Sequence, residues 1–167
     1  CLKALGVYVS NLRSVEGRKS ELARSLALQA NWASERREEH DHSYHWLNEA
    51  KDLDPGNPAI WHRWAMINED RSKRRSTHSS NFVIAAIRGF ARSVMLSKPP
   101  SVQDLLRLLS LWLAHAPTEH IRQQVADDVL QIGADVWLTV SIQIIARVTS
   151  HVQDLLRLVT VEHPQAL

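Results

Sequence analysis

The sequence has 167 residues, of which 44% are apolar and 23% charged, and its formal net charge is +2 at pH 7. This composition is typical of one folded domain and excludes a disordered or collagen-like chain. Such a small net charge does not indicate a nucleic-acid or anionic-membrane partner, so neither is expected. The single cysteine, Cys1, excludes a disulfide framework and indicates a reducing compartment, so we expect a cytoplasmic location. The longest apolar runs are far shorter than the roughly 20 residues that a membrane span requires.

Apolar residues recur at helical spacing along almost the whole chain, and no stretch shows the strict alternation of a half-buried strand. The pattern predicts an all-α fold of about nine helices joined by short polar turns, which indicates an α-solenoid or helical-repeat array. In chain order the predicted helices cover residues 2–12, 22–32, 46–53, 59–67, 82–96, 102–113, 121–132, 136–148 and 151–161.

Two segments interrupt this helical pattern most clearly. Residues 54–58 read Asp-Pro-Gly-Asn-Pro. Proline fixes φ, glycine permits positive φ, and a second proline can begin a helix, so the helices on either side should turn back on each other. Residues 71–80 are basic and rich in serine, which predicts a linker. The chain is thereby divided into residues 1–70, the linker 71–80, and residues 81–167.

Helix ends and burial in the second half can also be predicted. Ser101 should cap the sixth helix, with Asp104 as the carboxylate partner of a capping-box-like start. Gly133 is expected to end the seventh helix in the left-handed conformation. Residues 136–148 are β-branched and apolar on most sides, so they should form the most buried helix.

Three nearby histidines, His40, His42 and His45, are the best candidates for metal ligands, since imidazoles three residues apart on a helix could share an ion. His40 and His42 would lie on different faces of a helix, however, and the neighbouring acidic residues have the pattern of a solvated face. No cysteine can complete a site there. We therefore expect no metal centre.

The chain contains six tryptophans, and most of them fall at inward helical positions, where core packing explains them. Trp61, Arg63 and Trp64 could nevertheless line a groove that binds a protein partner. The sequence contains no Gly-rich phosphate loop, no nucleophile elbow and no kinase catalytic-loop motif. The chain alone is therefore expected to be neither an enzyme nor a cofactor-binding protein.

Six blocks in a fixed order carry a family resemblance. They are residues 1–6 followed by Asn11-Leu12, the Trp-His-x-Trp-Ala-x-x-Asn string at 61–68, a block made of residues 90–93, 96–97 and 102–112, and residues 135–138, 143–148 and 163–167. Together they resemble the C-terminal part of the FAT domain of target-of-rapamycin (TOR) serine/threonine kinases, within the phosphatidylinositol-3-kinase-related kinase family. The resemblance implies TPR-like helices over residues 1–70 and further, HEAT-like FAT helices over 81–167. It also implies that the linker 71–80 occupies the site of a longer insertion in the family.

In that family the FAT domain is a helical collar around the kinase domain, so the resemblance implies a non-catalytic scaffold and regulatory segment in growth and nutrient signalling. The implied partners are the kinase domain and the rapamycin-binding bundle of the same parent chain, together with TOR-complex subunits. The parent complex could also work at endomembrane surfaces. The alternative function is a stand-alone TPR-like adaptor that binds a peptide near Trp61, Arg63 and Trp64.

Members of the family also bind inositol hexakisphosphate through lysines of the FAT domain. The resemblance aligns two of these lysines with Ala4 and Ala59. The departure at both positions predicts that this chain lacks the polyphosphate site.

Overall fold

The computed structural model describes residues 2–15, 17–34, 40–74 and 79–141. These ranges form eight α-helices and contain no strand, which confirms the all-α helical-repeat prediction. The ninth predicted helix, at 151–161, lies outside the described residues. The helices are α1 (Leu2–Arg13), α2 (Lys19–Ser34), α3 (His40–Leu53), α4 (Pro58–Arg74), α5 (Ser79–Leu96), α6 (Val102–His115), α7 (Glu119–Leu130) and α8 (Ala134–Leu138).

The chain forms two compact units, Cys1–Ile132 and Gly133–Leu167. Within the first unit each helix packs against the next one along the chain. In addition, α2 contacts α4, and α5 contacts α7. Contacts restricted to near neighbours along the chain are typical of helical repeats.

The helices of the first unit are held by buried apolar side chains at the predicted spacing. Burial of a valine, leucine, isoleucine or phenylalanine side chain contributes about 1.5–3 kcal/mol before the entropy of ordering is counted, and burial of an alanine contributes less. One cluster joins the first four helices through Val9, Leu12, Leu22, Ala23, Leu26, Ala27, Ala30, Leu47, Ala50, Ile60, Trp64 and Ile67. The later helices of the unit bury Val83, Ile84, Ile87, Phe90, Val94, Leu105, Leu108, Leu109, Ile121, Val125 and Val129.

The turn between α3 and α4 forms as its sequence predicts. The backbone N–H of Asn57 donates to the carbonyl of Asp54 at 3.2 Å. The Asn57 side-chain oxygen accepts from the N–H of Ala59 at 3.1 Å and so caps α4. Pro58 is the first residue of that helix, where a missing N–H costs nothing.

The bounds predicted for the linker are wrong, because α4 continues to Arg74 and α5 begins at Ser79. The basic residues extend the helix by pairing with acidic residues one turn earlier. Lys73 contacts Glu69 at 2.6 Å, and Arg74 contacts Asp70 at 2.8 Å. Residues 75–78 lie outside the described part of the chain.

The prediction of a left-handed Gly133 is also wrong. Gly133 has φ −60° and ψ 149° and lies at the N-cap of α8. The end of α7 needs no left-handed residue, because the N–H groups of Gln131 and Ile132 bond back to Asp127 and Val129 with Gln131 in the right-handed region.

The helix predicted over 136–148 is described only in its first part. The predicted continuous helix is wrong there, because α8 spans Ala134–Leu138 and ends in a turn in which the N–H of Val140 donates to the carbonyl of Trp137. Helix α8 contains no buried residue, whereas Val140 after it is fully buried; residues 142–148 lie outside the described ranges. None of the helices in the described ranges combines the length and apolarity that crossing a bilayer requires.

Candidate functional site

Helix α4 carries the Trp-His-Arg-Trp string and is the natural centre of a site, since it contacts α2, α3 and α5. Successive residues on a helix point about 100° apart, so Trp61 and Trp64, three residues apart, lie on nearly the same face, whereas His62 and Arg63 point to other neighbours. The two indoles therefore share one environment, and His62 and Arg63 each have another.

The two indole N–H groups of the string both donate hydrogen bonds to other residues of the chain. Nε1 of Trp61 donates to the carbonyl of Pro55 at 2.7 Å, and Nε1 of Trp64 donates to Oδ1 of Asn48 at 2.9 Å. The rings meet edge to face, with centroids 5.7 Å apart. Nζ of Lys51 lies 5.6 Å and 5.3 Å from the two centroids, within cation–π range. Trp61 therefore attaches α4 to the turn that precedes it, and Trp64 attaches α4 to α3.

The histidine of the string belongs to a buried polar network. Asp104 of α6 is 2% exposed, and its Oδ1 lies 2.7 Å from Nδ1 of His62. Its Oδ2 accepts a hydrogen bond of 2.6 Å from the hydroxyl of Ser93 on α5. One carboxylate thus joins three helices, and both of its oxygens have partners, as a buried charge requires.

The sequence predicted the position of Asp104 in the first turn of α6 but not the contacts of its side chain with other helices. The hydroxyl of Ser101 accepts from the N–H of Asp104 at 3.3 Å, so the predicted cap of α6 is confirmed. The Asp104 side chain is directed to His62 and Ser93 instead of completing a capping box. The signal in the sequence was an acidic residue on an apolar helix face, followed by Leu105 and, one turn later, Leu108.

Arg63 faces a different neighbour, the groove between α2 and α4. Its Nη1 donates to the carbonyl of Ala27 at 3.0 Å. The groove has a volume of about 550 Å³. Of the three residues predicted to form a protein-binding groove, Arg63 lines this one, whereas Trp61 and Trp64 do not. Its lining residues are Ala30, Asn31, Ser34, Leu47, His62, Arg63, Met66, Ile67, Asp70 and Arg74.

The candidate metal ligands on α3 are directed to aromatic partners. The ring of His42 stacks on Trp46 at 5.9 Å between centroids, and His45 meets Tyr44 edge to face at 5.9 Å. The side chain of His40 lies outside the described residues. In the part of the chain that the structure describes, no group of three or more His, Cys, Asp or Glu residues is placed to hold a metal ion.

The two positions aligned with polyphosphate-binding lysines lie on α1 and α4. Ala4 and Ala59 are both exposed, and each presents a methyl group. The N–H of Ala59 is used by the Asn57 cap. Neither side chain supplies the positive charge that would attract a polyphosphate.

Within the described ranges, the tyrosine at position 8 has a shifted pKa. The hydroxyl of Tyr8 on α1 donates a hydrogen bond to the carboxylate of Glu21 on α2. This bond, followed by burial and the negative charge of Glu21, raises the pKa of Tyr8 above its ordinary value. The pair fixes α1 to α2 on an exposed surface.

The helical-repeat fold and the packed Trp-His-x-Trp helix agree with a match to a model of the FAT domain family, which covers residues 4–110. The chain therefore belongs to the FAT domain family.

Three of the curated relatives that the chain matches are TOR kinases of plants and yeast. Serine/threonine-protein kinase TOR of Oryza sativa subsp. japonica is 32% identical over 124 residues, covering 64% of this chain and 5% of the rice protein. The kinase TOR of Arabidopsis thaliana is 32% identical over 122 residues, with coverage of 64% and 5%. The kinase TOR2 of Saccharomyces cerevisiae is 38% identical over 116 residues, with coverage of 61% and 5%. The chain thus spans about a twentieth of the length of these relatives.

Proposed function

We propose that this chain is a non-catalytic scaffold segment of a TOR-type serine/threonine kinase. Its helices form part of a collar that supports the kinase domain and the rapamycin-binding bundle of the same parent chain. The collar offers further surfaces to TOR-complex subunits in growth and nutrient signalling. The parent acts in the cytoplasm, and this segment itself transfers no phosphoryl group.

The observation that carries the proposal is the junction at Asp104. A collar can restrain a neighbouring domain only if its helices keep a fixed arrangement. The buried carboxylate joins α4, α5 and α6 through His62 and Ser93, at 2.7 Å and 2.6 Å. Hydrogen bonds that satisfy both oxygens of a buried carboxylate favour one packing arrangement of the helices that they join.

The adaptor alternative receives less support from the same helix. A peptide groove at Trp61, Arg63 and Trp64 would need exposed indoles, but Trp64 is 9% exposed and both indole N–H groups have partners within the chain. Two of the three side chains are therefore already used to hold α4 in place.

The test is retention of a kinase domain by the immobilised 167-residue chain. Circular dichroism first confirms that the chain is helical. The kinase domain of the rice relative is then passed over it, and an unrelated helical-repeat protein of similar size serves as the matched control. We expect the chain to retain several-fold more kinase domain than the control does. Incubation of the chain alone with ATP and a protein substrate should yield no phosphorylated product.

Equal retention by the folded chain and the control would contradict the scaffold proposal. Phosphoryl transfer by the chain alone would contradict its non-catalytic part. Because retention and phosphoryl transfer are measured separately, the two parts can fail independently.

A further inference from the structure

The groove between α2 and α4 contains a positive charge with no acidic partner in the described part of the chain. The guanidinium of Arg63 is half-buried, and its one hydrogen bond is to a neutral backbone carbonyl, that of Ala27. The acidic residue in the groove lining, Asp70, already pairs with Arg74 at 2.8 Å. A partly desolvated guanidinium that bonds only to a carbonyl favours the arrival of an anion.

The remainder of the groove is apolar at its floor and polar at its rim. Ala30, Leu47 and Ile67 are buried beneath it, and Met66 is half-buried beside them. Asn31 lies exposed at the edge. A volume of about 550 Å³ accommodates one or two side chains of a partner.

The wall of the groove next to Arg63 is preorganised. His62 lines the groove, and its Nδ1 is fixed by the buried carboxylate of Asp104 at 2.7 Å. A ring fixed in this way does not have to be ordered when a ligand arrives, so less conformational entropy is lost on binding.

We propose that this groove binds an acidic peptide segment of a partner protein. An Asp or Glu carboxylate of the segment bonds to the guanidinium of Arg63, and an adjacent apolar side chain packs on Met66 and the buried floor. Charge complementarity selects the acidic segment over a basic or neutral one, since guanidinium and carboxylate form short paired hydrogen bonds. This inference goes beyond the scaffold role, because it assigns a ligand to one face of the helices.

The test is fluorescence anisotropy on the full 167-residue chain with two labelled hexapeptides. The probe is fluorescein-Gly-Leu-Asp-Leu-Asp-Gly, and the matched neutral peptide has Asn in place of each Asp. We expect the acidic peptide to bind about tenfold more tightly than the neutral one, the ratio expected for one charge-assisted contact. Arg63→Gln should abolish this ratio. Arg24→Gln, at an exposed arginine of α2 outside the groove lining, should preserve it.

A second variant keeps the proposal falsifiable if Arg63→Gln perturbs folding. Asn31 is exposed at the groove edge, so Asn31→Glu adds a carboxylate without disturbing the core and should weaken binding of the acidic peptide severalfold. Equal affinity for the two peptides, or equal behaviour of Arg63→Gln and Arg24→Gln, would overturn the proposal. Displacement of the acidic peptide by an equimolar single-stranded oligonucleotide would assign the groove to another class of ligand. Retention of the kinase domain does not enter this measurement, so the scaffold role is tested independently.

Discussion

A close approach between α4 and α5 depends on the absence of a side chain at Gly89 of α5. A Cβ atom built there would lie 2.8 Å from Cβ of Ala65, 3.0 Å from Cε3 of Trp64 and 3.1 Å from Cα of Ala65 on α4. Because Ala65 is fully buried and two of these three atoms belong to it, no flexible side-chain end can move aside. The perturbation to make is therefore Gly89→Ala, the smallest possible addition.

Two opposing effects determine the result. Replacing glycine by alanine inside a helix stabilises it by about 0.5–1 kcal/mol, whereas forcing an extra carbon into a packed core costs about 1–3 kcal/mol. At a predicted contact of 2.8 Å the steric cost is the larger, since α4 and α5 must separate. We expect Gly89→Ala to lower the free energy of unfolding by about 1–2 kcal/mol.

Gly6 of α1 provides the matched control, because a Cβ there meets only Nε2 of Gln29, at 3.7 Å. Gly6→Ala should therefore raise the free energy of unfolding by about 0.5 kcal/mol. Urea denaturation followed by circular dichroism at 222 nm measures both variants. A Gly89→Ala chain as stable as the unsubstituted one, or more stable, would show that α4 and α5 do not approach as closely as the structure indicates.

Three other changes can be measured in the same way. Asp104→Ala removes a buried carboxylate together with its two hydrogen bonds and should lower the free energy of unfolding by about 3 kcal/mol. The control Asp127→Ala, at an exposed residue of α7, should change it by less than about 0.5 kcal/mol. Similar losses in the two variants would refute a stabilising role of the Asp104 network. Asn48→Ala leaves the indole N–H of Trp64 without its acceptor and should lower the free energy of unfolding by about 1–2 kcal/mol. An unchanged free energy of unfolding would show that water replaces the Asn48 amide as acceptor. The raised pKa of Tyr8 means that its bond to Glu21 stabilises the fold fully below the unfolded-state pKa of about 10, and that this stability is lost as pH rises through the folded-state pKa. Tyr8→Phe should therefore show a smaller loss of stability between pH 9 and 11, and an unchanged profile would contradict the assignment.

Much of the fold could be predicted because the signals are local. Apolar residues such as Ile60, Trp64 and Ile67 recur at helical spacing, and all three are buried on one face of α4. The turn at residues 54–57 and the Ser101 cap follow from the dihedral and hydrogen-bonding preferences of proline, asparagine and serine. Each of these features is decided within one or two helical turns.

Residue composition gave two wrong predictions, at the linker and at Gly133, because local hydrogen bonds and ion pairs favoured a different backbone conformation. Three of the four residues at 71–74 are basic, and this composition suggested a linker. Lys73 and Arg74 nevertheless pair with acidic residues on the preceding turn and continue α4. Gly133 could have served as a left-handed stop, but Gln131 already closes α7 in the right-handed region. In both cases the residue type permits two conformations, and its hydrogen-bonding neighbours select one.

The sequence by itself determined the helical class, the faces that are buried, the positions of several caps and membership of the FAT domain family. Only the tertiary structure decided that Asp104 joins three helices, that α4 and α5 meet at Gly89, and that Arg63 faces a groove. The physical reason is distance along the chain. His62 and Asp104 are 42 residues apart, and Arg63 and Ala27 are 36 apart, so no local spacing encodes their contacts. Packing of whole helix faces brings such pairs together.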